Sequence, residues 1–222
     1  MSLRIFAAEA LTDFTTTAAI SPSSSHLASA MLEPLALAKA RVAVEFGAGT
    51  GAITRAFLSQ LPPHATLLVF EINRRFIDYL KKSFSDPRLV LINSSAENVD
   101  SELRQRGYDR VDAVASSLGL GLMSDHQHDT VFKRLLPFLH EKTVFTQYQY
   151  IYSLQFTNGR LRRLDLPRLL GRYFGSVQSR IVWRNLPPAF VFTCHRHPTD
   201  RKTSRLSRIA AKGKPPAAPL TH

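Results

Sequence analysis

Residues 44–51 read VEFGAGTG, and this stretch decides the fold. Apolar residues lead into three glycines in alternate positions, and a helical pattern follows, which indicates a strand, a tight turn and a helix. Because glycine has no Cβ, the backbone of such a turn can pass close to a ligand. A second apolar segment, 66–70, ends in Glu71, whose carboxylate could accept both hydroxyls of a ribose. The layout predicts a nucleotide-type cofactor site in an α/β sheet.

The spacing and charge of this turn favour S-adenosylmethionine over a dinucleotide. A dinucleotide turn has the spacing G-x-G-x-x-G and carries no acid, because the pyrophosphate lies there. Here the spacing is G-x-G-x-G, and Glu45 lies just before it. A carboxylate beside two phosphates would cost on the order of a kcal/mol or more, whereas it suits an amino group and a sulfonium. A nicotinamide or flavin cofactor, or a turn that binds nothing, are the alternatives.

Length and composition predict one soluble α/β domain. The chain has 222 residues, of which 44% are hydrophobic, enough for a single sizeable core. No apolar stretch approaches the roughly 18 residues that span a bilayer, and residues 1–10 lack the pattern of a secretory signal. The lone Cys194 excludes a disulfide framework within the chain and a cysteine-based zinc site. We expect a reducing, cytoplasmic location and no metal.

The positive charge is confined to the carboxyl-terminal third. Residues 1–155 hold 15 basic and 15 acidic side chains, whereas residues 156–222 hold 14 basic and 2 acidic ones. The whole net charge of +12 therefore lies in the second segment. Such a segment attracts an anionic membrane or a nucleic acid. The arginines from Arg160 to Arg172 precede the terminal tail, and we expect them to act in such binding.

The remaining patterns divide the chain into three parts. Apolar positions at a 3.6-residue period predict an amphipathic helix at 3–16, within a first part of residues 1–20. Residues 21–195 alternate strands and helices, which predicts a mostly parallel sheet with ligands at the carboxyl ends of its strands. Residues 196–222 are rich in proline and basic residues and are expected to be disordered. The predicted strands are 42–46, 66–71, 89–92, 111–115 and 143–149, the predicted helices are 26–38, 50–60, 74–84, 97–106, 126–139 and 166–173, and a terminal hairpin pairs 180–183 with 189–192.

Four stretches carry a resemblance to a known family: 19–24 (AISPSS), 45–51 (EFGAGTG), 71–73 (EIN) and 185–190 (NLPPAF). They resemble the class I S-adenosylmethionine-dependent methyltransferases, in the branch shared by rRNA adenine dimethylases and bacterial phospholipid N-methyltransferases. The first and last stretches look like those of the phosphatidylethanolamine N-methyltransferases. The resemblance covers roughly residues 14–193. It implies a Rossmann-like, seven-stranded, mostly parallel sheet with an antiparallel terminal hairpin, and an amino-terminal amphipathic helix that lies on the membrane and closes over the cofactor.

The resemblance also assigns the cofactor contacts. The glycine turn would line the methionine portion, Glu45 would approach its amino group, and Glu71 would bind the ribose. Ile72 would pack against the adenine, and Ser95 and Ala96 would contact the adenine edge. The full set of implied cofactor residues is Glu45, Gly47, Ala48, Gly49, Gly51, Glu71, Ile72, Ser95, Ala96 and Ser116.

The acceptor side departs from both branches of that family. Adenine dimethylases carry Asn-Pro-Pro and an aromatic residue at the tip of the fourth strand, where this chain has 116–119 (SSLG), and that argues against an adenine acceptor. The lipid enzymes usually have Ser-Gly-Leu-Pro there, so Ser117 and Gly119 depart from their pattern too. The predicted acceptor-site and catalytic residues are Tyr148, Tyr150, Ser116 and Gln147.

Catalysis needs mainly alignment, since a sulfonium methyl is already activated. The tyrosine faces of Tyr148 and Tyr150 could hold an ammonium by cation–π attraction, worth about 0.5–2 kcal/mol. For the other polar and aromatic candidates we expect structural positions: Trp183 in the core, His126 and His128 on the surface, and Asp112 in a backbone or loop contact.

The function expected is N-methylation of phosphatidylethanolamine, of its methylated intermediates or of a related aminolipid, by a peripheral protein on the inner face of the membrane. The amino-terminal helix and the basic carboxyl-terminal segment would bind the anionic surface. The alternatives are an rRNA adenine N6-methyltransferase and a non-catalytic protein that retains the fold. We do not expect nucleic acid as a partner, and the sequence gives no indication of oligomeric state.

Overall fold

The computed structural model describes residues 22–151, 155–157, 160–162 and 164–197. The predicted amphipathic helix at 3–16 lies outside the described residues, as do Arg163 and residues 198–222 of the predicted tail. Among the described residues, no helix has the length and apolar character needed to cross a bilayer.

Seven strands form one twisted sheet in the order β3-β2-β1-β4-β5-β9-β8. The first five strands in this order are parallel to one another, and β9 runs antiparallel to both β5 and β8. This architecture confirms the predicted α/β sheet with an antiparallel terminal hairpin. The strands are β1 (Val42–Phe46), β2 (Thr66–Phe70), β3 (Leu89–Ile92), β4 (Val111–Ser116), β5 (Leu139–Tyr150), β8 (Ser176–Val182) and β9 (Ala189–His195), and a separate hairpin of β6 (Gln155–Thr157) and β7 (Arg160–Arg162) follows β5.

Helices cover both faces of the sheet, and a hydrophobic core lies on each face. Successive residues of β1 alternate between the two cores, since Val44 packs in one and Ala43 in the other. The strand is buried throughout, as expected for the centre of a parallel sheet. One core packs α1 (Pro22–Leu32), α2 (Ala52–Gln60) and α3 (Arg74–Ser83), and the other packs α4 (Val99–Gln105), α5 (Asp125–Leu135) and α6 (Leu166–Leu170).

Three predicted helices end three or more residues earlier than expected. The helix predicted to reach residue 38 ends at Leu32, because Pro34 has no N–H to donate and Ala36 adopts a left-handed backbone with φ 48°. The helix predicted to reach residue 139 ends at Leu135, again just before a proline, and β5 begins at Leu139. The helix predicted at 166–173 ends at Leu170, and its last residues form turns.

Candidate cofactor and acceptor site

The turns that follow β1, β2 and β4 lie side by side at one edge of the sheet. The Gly47 N–H donates to the Phe70 carbonyl at 2.8 Å, and the Glu71 N–H donates to the Ile92 carbonyl at 3.0 Å. The Ser117 N–H donates to the Phe46 carbonyl at 2.8 Å. These bonds extend the parallel ladder one residue past the strands. The glycine turn, Glu71 and the tip of β4 are therefore neighbours, as the sequence predicts.

The three glycines of the turn share a left-handed backbone, but the space around Gly49 differs from that around Gly51. All three have positive φ, at 77°, 54° and 84° for Gly47, Gly49 and Gly51. A Cβ on Gly49 would have no heavy atom within 4 Å, so this part of the turn borders open space that a ligand can enter. A Cβ on Gly51 would lie 2.7 Å from Leu80 and Phe84. Gly51 is thus needed for the close packing of α2 against α3, and its predicted cofactor contact stays a prediction.

Glu45 is fully buried behind the turn. The Thr54 hydroxyl donates to its Oε2 at 2.7 Å, whereas its Oε1 has no hydrogen-bond partner among the described residues. Burial raises the pKa of Glu45 to about 8; the nearby charge of Glu71 adds to this, and the Thr54 hydroxyl opposes it. A buried carboxyl oxygen without a partner is costly unless a ligand supplies one. Its chemistry fits the amino group of S-adenosylmethionine.

Glu71 is held in place by the turn it faces. Its Oε2 accepts the Gly49 N–H at 2.9 Å, and its Oε1 accepts the Asn73 N–H at 2.8 Å. Each carboxylate oxygen has further lone pairs, so both can still accept a ribose hydroxyl. Ile72 is 74% exposed next to this carboxylate and offers an apolar face on which an adenine could pack.

Asn93 lies at the candidate site and was not predicted from the sequence. Its amide Nδ2 donates to the carbonyls of Glu71 at 2.9 Å and Ile72 at 3.1 Å, which fixes the turn after β2. The available signal was a polar amide directly after a buried strand. Ser95 and Ala96 follow it at the same edge, where Ser95 caps a 3-10 turn and Ala96 is buried. This position is compatible with their predicted contact with the adenine edge.

Ser116 and Gln147 are register partners on β4 and β5, and both are buried. The Gln147 Nε2 donates to the Leu118 carbonyl at 3.0 Å and to the Tyr148 carbonyl at 2.7 Å. The Gln147 amide therefore anchors the loop after β4. Its Oε1 has no partner among the described residues, so it remains available as an acceptor of a ligand N–H. The catalytic roles of both residues stay predictions.

Tyr148 and Tyr150 lie together at the carboxyl end of β5. Their rings meet edge to face with centroids 5.4 Å apart, and both are partly buried. Burial, with a smaller contribution from Tyr150, raises the pKa of Tyr148 well above its ordinary value. Tyr148 is therefore a neutral phenol at physiological pH, able to exchange hydrogen bonds or offer its ring face but not to serve as a base.

Of the four structural expectations, two were wrong and two agree with the structure, in which His126 is exposed as expected. His128 is buried rather than on the surface, because it lies on the inner face of α5 and its Nε2 is 2.7 Å from the Leu120 carbonyl. Trp183 is 70% exposed at the tip of the terminal hairpin rather than in the core. Asp112 accepts the backbone N–H groups of Arg41 at 2.8 Å and Val42 at 3.0 Å, a backbone contact as expected. The described residues contain no cluster of three or more His, Cys, Asp or Glu side chains suited to a metal.

Comparison with known proteins agrees with this geometry. The chain is similar to the 1,6-didemethyltoxoflavin-N1-methyltransferase of Burkholderia thailandensis, solved with bound S-adenosylhomocysteine, with a TM-score of 0.58, 19% identity and coverage of 89% of this chain and 92% of that one. A TehB-like S-adenosylmethionine-dependent methyltransferase of Corynebacterium glutamicum gives a TM-score of 0.54, 13% identity and coverage of 85% and 95%. The chain has the class I methyltransferase fold.

A sequence relative narrows the comparison. An ornithine lipid N-methyltransferase of Singulisphaera acidiphila is 27% identical over 181 residues, which cover 81% of this chain and 88% of the relative. No family model matches the chain. The fold, the relative and the acidic partners of the glycine turn together support S-adenosylmethionine as the cofactor, as the sequence predicts. The fold alone does not identify the acceptor of the methyl group, since proteins with one fold can have many activities.

Proposed function

We propose that this protein is an S-adenosylmethionine-dependent N-methyltransferase that methylates the amine of an aminolipid, such as phosphatidylethanolamine or an ornithine lipid, at a membrane surface. The buried, unpartnered Oε1 of Glu45 behind the glycine turn supports the methyltransferase part of the proposal, because a cationic ligand group at that point would stabilise the ionised carboxylate and supply the missing partner. The aminolipid class is supported by the ornithine lipid N-methyltransferase to which the chain is similar.

When bound, S-adenosylmethionine supplies a methyl group already activated on a sulfonium. The residues of this chain then have to hold the cofactor and align the acceptor amine with its methyl group. The Oε1 of Glu45 would accept a hydrogen bond from the amino group. The carboxylate of Glu71 would accept hydrogen bonds from the ribose hydroxyls, while the Gly49 N–H donates to it and keeps it oriented. The open space at Gly49 lets the ligand approach the backbone. No general acid is needed, since the leaving thioether requires no proton.

The acceptor amine would be held by the tyrosine pair. Tyr148 stays neutral because its pKa is raised, so its ring and hydroxyl present partial negative charge to an ammonium. Tyr150 stands edge to face with it and would complete the cage. An amine attacks only in its unprotonated form, so its proton has to leave first. Bulk water at the open edge of the sheet can take that proton.

The decisive experiment offers several acceptors to the same enzyme. The purified full-length protein is incubated with methyl-labelled S-adenosylmethionine and, separately, with vesicles of phosphatidylethanolamine, vesicles containing ornithine lipid, and ribosomal RNA. We expect mono-, di- or trimethylated lipid bands on chromatography and no labelled RNA. Glu71→Ala serves as the inactive control. Label in RNA alone would replace the proposal with the adenine methyltransferase alternative.

Expression in a host that lacks phosphatidylcholine tests the same proposal in cells. New methylated lipid bands in cells that carry the intact gene, and not in cells that carry Glu71→Ala, support it. A lipid profile that is identical in the two strains, with the protein present in both, contradicts it.

A further inference from the structure

The tip of the β8–β9 hairpin displays two large apolar side chains. Trp183 is 70% exposed and Leu186 is 86% exposed. Between them, Asn185 is buried, and its Nδ2 donates to the Pro187 carbonyl at 2.7 Å. The Asn185 N–H reaches back to the Val182 carbonyl at 3.4 Å. The buried amide thus organises the turn from inside and leaves both apolar side chains pointing away from the protein.

This tip lies at the same edge of the sheet as the cofactor and acceptor residues. Ala189, the first residue of β9, pairs with Val182 on one side and with Tyr150 on the other. The Ile151 N–H donates to the Pro188 carbonyl at 3.0 Å, which ties the tip to the end of β5. The hairpin tip is therefore next to the tyrosine pair.

Exposed apolar side chains gather at this edge. Leu122 follows β4 and is 52% exposed. Ile181, at 36%, lies two residues before Trp183. The large exposed apolar side chains of the described residues are Ile72, Tyr79, Leu122, Ile181, Trp183 and Leu186. Ile72 lies beside Glu71 and is assigned to the adenine, and Tyr79 lies on α3, so four of the six are available to an apolar partner at this edge. Such a concentration marks a surface that meets an apolar partner.

The charge of the tip points to an anionic partner. Residues 176–189 contain Arg180 and Arg184 and no acidic residue. Arg180 pairs with Glu33 at 2.6 Å, so Arg184 is the exposed cation between the two apolar side chains. A tryptophan beside an arginine on an exposed turn suits the headgroup boundary of a bilayer, where the ring is half solvated and the cation meets lipid phosphate.

We propose that the hairpin tip is a membrane-docking element, and that Trp183 and Leu186 enter the headgroup boundary of an anionic bilayer. Docking through this edge turns the acceptor residues toward the lipid headgroups, so a lipid amine could reach them without leaving the bilayer. This inference rests on the proposed function for its substrate, but docking itself can be measured without catalysis.

Trp183 is the sole tryptophan of the chain, so intrinsic fluorescence reports on the tip alone. The full-length protein is titrated with vesicles of phosphatidylethanolamine and phosphatidylglycerol, with and without brominated acyl chains. We expect a blue shift of the emission and quenching by the brominated lipid. An unshifted emission from protein that sediments with the vesicles would overturn the proposal. So would an emission already blue-shifted before vesicles are added and unchanged by them, which would mean that another part of the chain covers the tip.

Matched variants test the contribution of the tip to binding. Trp183→Ala with Leu186→Ala should weaken vesicle binding by about tenfold for each side chain removed. Tyr79→Ala removes an exposed aromatic ring elsewhere and should leave vesicle binding unchanged. All variants should bind S-adenosylhomocysteine normally, which shows that they are folded. Equal vesicle binding by the double variant and the parent, or loss of RNA binding instead of vesicle binding, would refute the assignment.

The same assay separates this inference from the proposed function. Glu71→Ala should still show the blue shift of Trp183 on anionic vesicles although it transfers no methyl group. If Trp183 enters the bilayer but the parent protein methylates no lipid, the docking proposal is supported and the aminolipid acceptor is refuted. If lipid is methylated while Trp183 stays in water, docking at the tip falls alone.

Discussion

The state of Glu45 makes cofactor binding depend on pH in a specific direction. Its pKa of about 8 means that the free protein carries a neutral Glu45 at pH 6. The amino group of S-adenosylhomocysteine has an ordinary pKa of roughly 7.8 and is protonated at that pH. The bound ion pair holds one proton in total, so binding at pH 6 must release one. Affinity therefore rises as pH increases toward 8.

The size of the effect follows from the two titrations. Below pH 7 the affinity should change by nearly tenfold per pH unit, because almost every binding event releases a proton. When the titration of the ligand amine is included, affinity at pH 8 exceeds that at pH 6 by about 20-fold, and it falls again at higher pH as the ligand loses its charge.

Calorimetric titration with S-adenosylhomocysteine between pH 6 and pH 9 measures both quantities. Repeating it in two buffers with different ionisation enthalpies counts the protons released. Glu45→Gln should bind more weakly at pH 8 and show no slope between pH 6 and pH 7. Thr54→Val removes the hydroxyl that lowers the pKa of Glu45, so in this variant the rise of affinity with pH should occur at higher pH. Flat affinity from pH 6 to pH 8 without proton release, or a slope that survives in Glu45→Gln, would refute the reasoning.

Four further predictions concern stability, the ribose site, the glycine turn and the amino terminus. Glu45→Gln should raise the free energy of unfolding of the free protein at pH 7 by up to about 3 kcal/mol, measured by urea denaturation. The reason is that the pKa of Glu45 is near 4.5 in the unfolded chain and about 8 in the folded protein. Its burial therefore destabilises the fold increasingly as pH rises between those two values. Glu71→Ala should weaken S-adenosylhomocysteine binding by about a hundredfold or more while circular dichroism stays unchanged, since two charge-assisted hydrogen bonds are lost; unaltered affinity would contradict the ribose assignment. Gly51→Ala should destabilise the fold by about 3 kcal/mol, because the added methyl group would clash with Leu80. Gly107 has a similar positive φ of 76° but open space around it, so Gly107→Ala should cost only about 1 kcal/mol. Equal losses of stability would contradict the packing role of Gly51. Deleting residues 1–18 should weaken vesicle sedimentation and methyl transfer together, and unchanged sedimentation with anionic vesicles would count against a membrane role for that segment.

The parts of the fold that sequence predicted well depend on short-range patterns. The bounds of β1 and β3 match the prediction. Both strands are short and mostly apolar; β1 ends at the glycine turn, and β3 lies between Pro87 and Asn93. The glycine turn and Glu71 were predicted as neighbours because the carboxyl ends of adjacent parallel strands meet at one edge. The apolar pattern continues to residue 38 and so predicts a longer α1, whereas Pro34 ends the helix early.

The residues whose positions were predicted wrongly are placed by contacts between segments that are distant in sequence. His128 looks like a surface residue in a polar stretch, and only the packing of α5 against the sheet shows that it is buried with its Nε2 at the Leu120 carbonyl. Trp183 looks like core material by its size, and only the hairpin geometry shows it exposed. The bonds of Gln147 to the loop after β4 likewise join residues 29 positions apart.

The neutral state of Glu45 also changes the reason for choosing one cofactor over another. An ionised carboxylate would repel phosphates, but near pH 7 Glu45 of the free protein is a protonated acid, which could donate a hydrogen bond to a phosphate. Selection must therefore act through ionisation. A cationic group stabilises the charged form and lowers the pKa of Glu45, whereas a pyrophosphate would raise it further. Affinity for a dinucleotide would fall as pH rises from 6 to 8, while affinity for S-adenosylhomocysteine rises. The sign of that slope distinguishes the two ligand classes from binding data alone.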